Sequence, residues 1–142
     1  MKVFVDANIL VATVNKEYPL FPYTSRIMTL TTWKDFTIYT TPVCLAIAFY
    51  FAEKRYGTSS AKKRLQLLSF NVAIAPTTDQ TVQSAFGDPA VMDFEDGLEY
   101  FAALEAGCTC IVTEDKDDFH FSRIEVLSSM EFVERYILSR RF

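Results

Sequence analysis

The 142-residue chain predicts an α/β fold, a three-layer α/β/α sandwich in which a parallel sheet lies between helices. Three observations carry this. Short, β-branched apolar runs alternate with helical segments from end to end, the order that a parallel sheet with crossover helices requires. Half of the residues are apolar and 15% are aromatic, against 4 Gly and 5 Pro, which supplies a core and excludes disordered or collagen-like sequence. The length suits a single domain over residues 1–142, burying roughly two-thirds of the unfolded surface.

Val3-Phe4-Val5 is a continuous apolar run suited to a strand buried on both faces, and Asp6 ends it. Residues 9–12 open a helix, with Asn8 near its start. Residues 15–22 contain Pro19 and Pro22 and read as a loop, followed by a helix over 24–33. Residues 36–39 alternate as a strand. Thr41-Pro42 begins a helix through Tyr56, with Pro at the permitted first position and Gly57 as terminator. Ser59 or Ser60 caps a helix over 60–69. Strands over 72–75, 110–113 and 124–126 bring the total to five. Helices over 78–86, 93–106 and 128–138 complete the order, the second of them ended by Gly107.

The longest apolar run, residues 45–52, is far below the ~20 residues of a membrane helix. The N-terminus reads as a strand without a small-residue cleavage site, so a cytoplasmic protein without membrane contact is expected. Cys44, Cys108 and Cys110 are expected as reduced thiols. With His120 as the lone histidine, a structural zinc is disfavoured. The net charge of −4 is unevenly spread. Residues 1–70 hold nine Lys/Arg and four Asp/Glu, residues 71–142 five and fourteen, giving +5 and −9. Such a split suits an acidic region that holds cations and a basic one that holds an anion, or else two ordinary solvated faces.

In parallel sheets, sites gather at the carboxyl ends of the strands. Asp6 lies at that rim, where an ionised carboxylate is costly unless paired or metal-bound; it could also cap the first helix. Asp115 follows the strand over 110–113 at the same rim and converges with Asp6 if the two strands are neighbours. Asp118 lies three residues on, whereas Asp117 reads as solvated loop. Asp93 and Asp96 share one face of a helix start, and Glu99 extends the row. Asp93 is a natural N-cap, and Asp96, one turn inside, is the better ligand candidate. Such carboxylates repel, by about 4 kcal/mol per pair at ~4 Å and an effective dielectric near 20. Oxygen ligands of this kind favour Mg²⁺ or Mn²⁺, which can activate water against phosphorus.

Val5-Asp6-Ala7-Asn8-Ile9-Leu10, Asp93-Phe94-Glu95-Asp96-Gly97-Leu98 and the stretch Thr113-Glu114-Asp115-Lys116-Asp117-Asp118-Phe119 together resemble the PIN domain. The resemblance spans nearly the whole chain. It implies a five-stranded parallel sheet, an acidic pocket for Mg²⁺ or Mn²⁺, and metal-dependent RNA cleavage. Small members are often VapC-like toxins of toxin–antitoxin pairs and commonly dimerise, so an antitoxin protein and a homodimer are the implied partners beside RNA. Carried over, Asp6, Asp96 and Asp115 are the implied catalytic acids and metal ligands, with Asp93 and Asp118 assisting. Asn8 and Thr113 are the implied supporting residues.

One position departs from the family pattern. A Glu is expected one turn into the helix after the second strand, and Ile47 stands there. Glu53, six residues later, is about 240° round and ~9 Å along the helix, a poor substitute. A catalytically degenerate PIN-like module that binds RNA or a protein is therefore the alternative reading. Lys54, Arg55, Lys62, Lys63 and Arg64 could hold an RNA backbone or form an ordinary solvated face. Tyr18, Phe21, Tyr23 and Trp33 could stack on bases, or serve as core or subunit contact.

Overall fold

The computed structural model describes residues 1–140. Five parallel strands, β1 (Lys2–Val5), β2 (Thr37–Thr40), β3 (Ala73–Ile74), β4 (Cys110–Val112) and β5 (Glu125–Leu127), form one sheet in the order β3-β2-β1-β4-β5. The central β1 is paired on both sides, and its Val3, Phe4 and Val5 are fully buried, which is why the run reads as continuously apolar.

The helices are α1 (Ala7–Val14), α2 (Phe21–Thr29), α3 (Pro42–Tyr56), α4 (Thr58–Ser69), α5 (Asp79–Gly87), α6 (Phe94–Glu105) and α7 (Ser129–Phe132). Helices α1, α3 and α4 pack together, α2 packs on α1 and α7, and α5 pairs with α6. Right-handed crossovers toward β3 put α1–α4 on one face, and the return from β3 to β4 puts α5 and α6 on the other. The sheet thus has its switch point between β1 and β4, where a crevice opens beyond the strand ends. Phe4, Ile9, Leu10, Ile27, Ile38, Ile111, Phe119 and Phe132 fill the core beneath it.

Helix boundaries differ from the sequence reading in three places. Helix α2 begins at Phe21, because Pro22 in its first turn gives up an amide that has no helical partner anyway. It tightens into a 3₁₀ turn over Leu30–Thr32, and Trp33 is extended. Helix α4 starts at Thr58 without a Ser59 or Ser60 cap: Gly57, at φ +83, turns the chain straight from α3 into α4. The last helix holds one α turn, capped by Ser128 with Glu131, then widens into a π turn over Val133–Ile137. All three cysteines are buried and free, and burial pushes the Cys108 and Cys110 thiols up to about 12. Among the described residues no helix is long and apolar enough to cross a membrane.

Gly57 combines φ +83 with ψ 164, a region essentially confined to glycine, and a Cβ there would meet no neighbour. Gly57→Ala is therefore expected to cost about 1–3 kcal/mol from the backbone alone. Urea unfolding measures it, with the m-value unchanged.

Candidate active site

Strand β1 ends by handing the Asp6 amide to the Val112 carbonyl of β4, at 3.0 Å. That bond carries Asp6 to the rim beside Thr113. The Thr113 hydroxyl donates to Asp6 Oδ2 at 2.7 Å and accepts from the Asp115 amide at 3.0 Å. Ala7 N–H donates to Asp6 Oδ1 at 2.6 Å, so Asp6 also caps α1. Asn8, in the first turn of α1, completes the circuit. Its Nδ2 lies 3.2 Å from Asp115 Oδ2, 3.2 Å from Thr113 Oγ1 and 3.5 Å from Asp6 Oδ2, and its Oδ1 accepts from the Glu114 amide at 3.3 Å. Asp6, Asn8, Thr113 and Asp115 are thus one hydrogen-bonded unit built from two neighbouring strands.

The second acidic group arrives from α6. Asp93 caps that helix by accepting from the Asp96 amide at 3.1 Å. Gly97 lets α6 close on α5: a Cβ there would stand 2.6 Å from Val91 Cγ1 and 3.2 Å from Ala85 Cβ. Asp93, Asp96 and Asp118 line the same cleft as Asp6 and Asp115, a space of about 510 Å³. Among the described residues nine carboxylates line it, including Glu17, Glu95, Glu99 and Glu114, and no Lys or Arg does. The electrostatic result is visible in the acids themselves. Burial, with Asp93, Asp118, Asp6 and Glu95 nearby, pushes Asp96 up to about 7. Asp118 and Glu95 are raised for the same reasons, burial first.

Glu99 is the residue that sequence reasoning saw in the Asp93-Asp96 row and did not assign. It is 1% exposed, and its Oε1 accepts from the Cys44 thiol at 3.1 Å. Burial, then Cys44 and Asp6, push its carboxyl far above the usual range, so it is a neutral acid. Asp6, Cys44 and Glu99 bring one ligand atom each within 4.8 Å of one another, the tight three-donor set among the described residues. Asp96 and Asp115 stand outside that set. They share the cleft with Asp6 at looser spacing, so the shared point expected for the three acids is a shared space. Cys44, expected as packing, is at its floor.

Ile47 lines the cleft where the family pattern has its helix acid, beside Val11, Leu20 and Phe51. Glu53 does not reach it and accepts from the Thr58 hydroxyl at 2.8 Å instead. Lys54, Arg55, Lys62, Lys63 and Arg64 do not line it either; Lys54 Nζ lies 4.3 Å from the Tyr50 ring centroid and Arg64 Cζ 3.8 Å from that of Tyr56. Of the aromatics, Tyr18, Phe21, Tyr23 and Trp33 are outside the cleft, and Phe51 is inside.

Comparison with known proteins bears on this site. A PIN domain family model matches residues 2–117. The chain belongs to the PIN domain family. It is 27% identical over 138 residues to Ribonuclease VapC1 of Aquifex aeolicus (strain VF5), with 95% of each chain covered. In fold it is similar to VapBC2 from Rickettsia felis bound to a promoter DNA fragment (TM-score 0.70, 16% identity, 90% of this chain and 98% of that one). It is also similar to VapC20 of Mycobacterium tuberculosis, described as a sarcin-ricin loop cleaving toxin (TM-score 0.68, 19% identity, 87% and 98%). These PIN-fold likenesses agree with the five-stranded α/β/α sandwich.

A carboxyl whose pKa is raised by folding binds its proton more tightly in the folded state. Its contribution is most favourable below the unfolded value near 4 and is lost as pH rises toward 7. Asp96→Asn, which mimics the protonated form, is expected to match wild type in melting temperature at pH 4 in chelator. It is expected to melt progressively higher than wild type between pH 4 and 8, as read by thermal denaturation.

Proposed function

We propose that this PIN-domain chain is a metal-dependent endoribonuclease, the toxin of a toxin–antitoxin pair. The observation that carries the reading is the cleft of uncompensated carboxylates built around the Asp6-Asn8-Thr113-Asp115 unit at the sheet's switch point. Its donors are hard oxygens, no basic side chain among the described residues lines it, and Asp96 retains its proton up to about pH 7 without a cation to offset its neighbours. That chemistry fits Mg²⁺ or Mn²⁺, which take oxygen ligands and keep several waters, so loose spacing between acids is tolerated. The ribonuclease relative at 27% identity supports the substrate class. VapBC2, solved on promoter DNA, supports an antitoxin partner.

Asp6, Asp96 and Asp115 would hold the cation, with Asp93 and Asp118 assisting. A divalent cation in this place supplies charge neutralisation at the phosphate and acidifies water. The chain's own residues do the rest. Asn8 and Thr113 hold Asp6 and Asp115 in register, the α6 cap sets Asp96, and Glu99 with Cys44 closes the floor against bulk water. Water attacks phosphorus in line, the P–O3′ bond breaks, and a 5′-phosphate and a 3′-hydroxyl result. Lys54, Arg55, Lys62, Lys63 and Arg64 would hold the flanking backbone, outside the cleft. The reading includes action in the cytoplasm and a homodimer, which sedimentation of the purified chain measures.

Purified chain with Mn²⁺ is expected to cleave RNA and to stop in chelator. Asp6→Asn, Asp96→Asn and Asp115→Asn should each lower kcat by about 100-fold or more, and Asn8→Ala or Thr113→Val by about 10–100-fold. The alternative, a non-catalytic RNA- or protein-binding module, is motivated by Ile47. It prevails if the wild type gives no heat with Mn²⁺, cleaves nothing, and still binds RNA in chelator.

A further inference from the structure

The cleft has two chemically different walls. Besides the carboxylates, Ile47 and Phe51, one helical turn apart on α3, line the same space with Val11 and Leu20 as its apolar part. Phe51 is 44% exposed, a ring left open at a site mouth although it could have been packed away. Its position is held from both sides. Asn15 Nδ2 donates to the Phe51 carbonyl at 3.4 Å, and the Tyr50 ring stands edge-on at 5.3 Å and 80°. Lys54 lies over Tyr50, so positive charge flanks the aromatic pair on the outer side.

A nucleotide carries both complementary characters in one unit: a phosphate for a cation held by the acids, and a planar π face for the apolar wall. Inside a duplex those faces are covered by neighbouring bases, so only an unpaired base offers one. We propose that Phe51, backed by Ile47 and Leu20, stacks an unpaired nucleobase of the RNA next to the scissile phosphate. This rests on the nuclease reading above. Ile47 is then a specificity element as well as a departure from the family pattern, because a glutamate there would set a charge against the base.

The test uses the full chain and a short single-stranded RNA containing one fluorescent adenine analogue whose emission falls on stacking. Wild type should quench it and cleave the strand with Mn²⁺, and should cleave the same sequence poorly as a duplex. Phe51→Ala should lose the quenching and raise KM about tenfold, with kcat within about twofold and an unchanged Mn²⁺ calorimetric titration. Phe51→Trp should restore both. Phe70→Ala, an exposed aromatic outside the cleft, should change neither. Equal KM and quenching in wild type and Phe51→Ala would overturn the base site, as would equal cleavage of duplex and single strand. Loss of binding to a protein partner in Phe51→Ala, with RNA unaffected, would overturn it by giving the wall to that partner. A wild type that quenches through Phe51 but never cleaves would sink the nuclease reading and keep the base site.

Discussion

The seam between β1 and β4 is what the rest of the structure depends on. Strand β1 is buried on both faces and paired on both edges, so Asp6 is fixed at the cleft with only 7% of its surface exposed once the strand is in register. A carboxylate delivered there needs donors: the neighbouring strand's exit provides the Thr113 hydroxyl, and the start of α1 provides the Ala7 amide and the Asn8 side chain, which also donates to Asp115. Hydrogen bonds to a charged group contribute about 1.5–3 kcal/mol each. The hydroxyl has one proton, spent on Asp6, so it faces Asp115 and Asn8 as an acceptor. Polarity along this chain of bonds therefore has one direction, and it ties the two acids to each other's position.

Around that seam the fold accumulates negative charge and disposes of part of it by holding protons. Glu99 is the extreme case, sealed with the Cys44 thiol between α3 and α6. Asp96 is intermediate, and the acids at the outer lip are open to water. The cleft is thus graded from a neutral, dry floor to a charged, wet rim. A rigid apolar base of Phe4, Ile9 and Ile111 beneath it resists the mutual repulsion that would otherwise open the strand ends.

Much of this was legible in the chain itself. The buried strand ending in Asp6, the acid pair at the start of α6 and the Thr-Glu-Asp exit from β4 each announce a strand end or helix start by local chemistry. The alternating order left the adjacency of β1 and β4 open, and the strand order of the sheet supplies it. Glu99 was harder. Its helical spacing from Asp96 is visible, but whether such a row faces solvent or a neighbouring helix depends on α3 packing close by, and Cys44 reads there as ordinary core. The placement of Phe51 in the cleft lining was hidden for the same reason. A ring in an apolar helix reads as core, and only the tertiary turn of α3 leaves its face open, whereas Tyr18 and Trp33 look more promising in sequence and sit elsewhere. The start of α4 misled because a glycine turn needs no capping side chain, so two serines nearby carried no information.

The three thiols lie in different parts of the fold. Cys110 belongs to the strand beside β1, Cys108 precedes it by two residues, and Cys44 of α3 lies against Glu99 of α6; all are free and buried. An alkylating reagent can reach them only when the molecule comes apart locally. The rate at which each sulfur is consumed therefore clocks the opening of its own neighbourhood, and the protein carries built-in reporters of whether the contact between α3 and α6 breathes independently of its sheet.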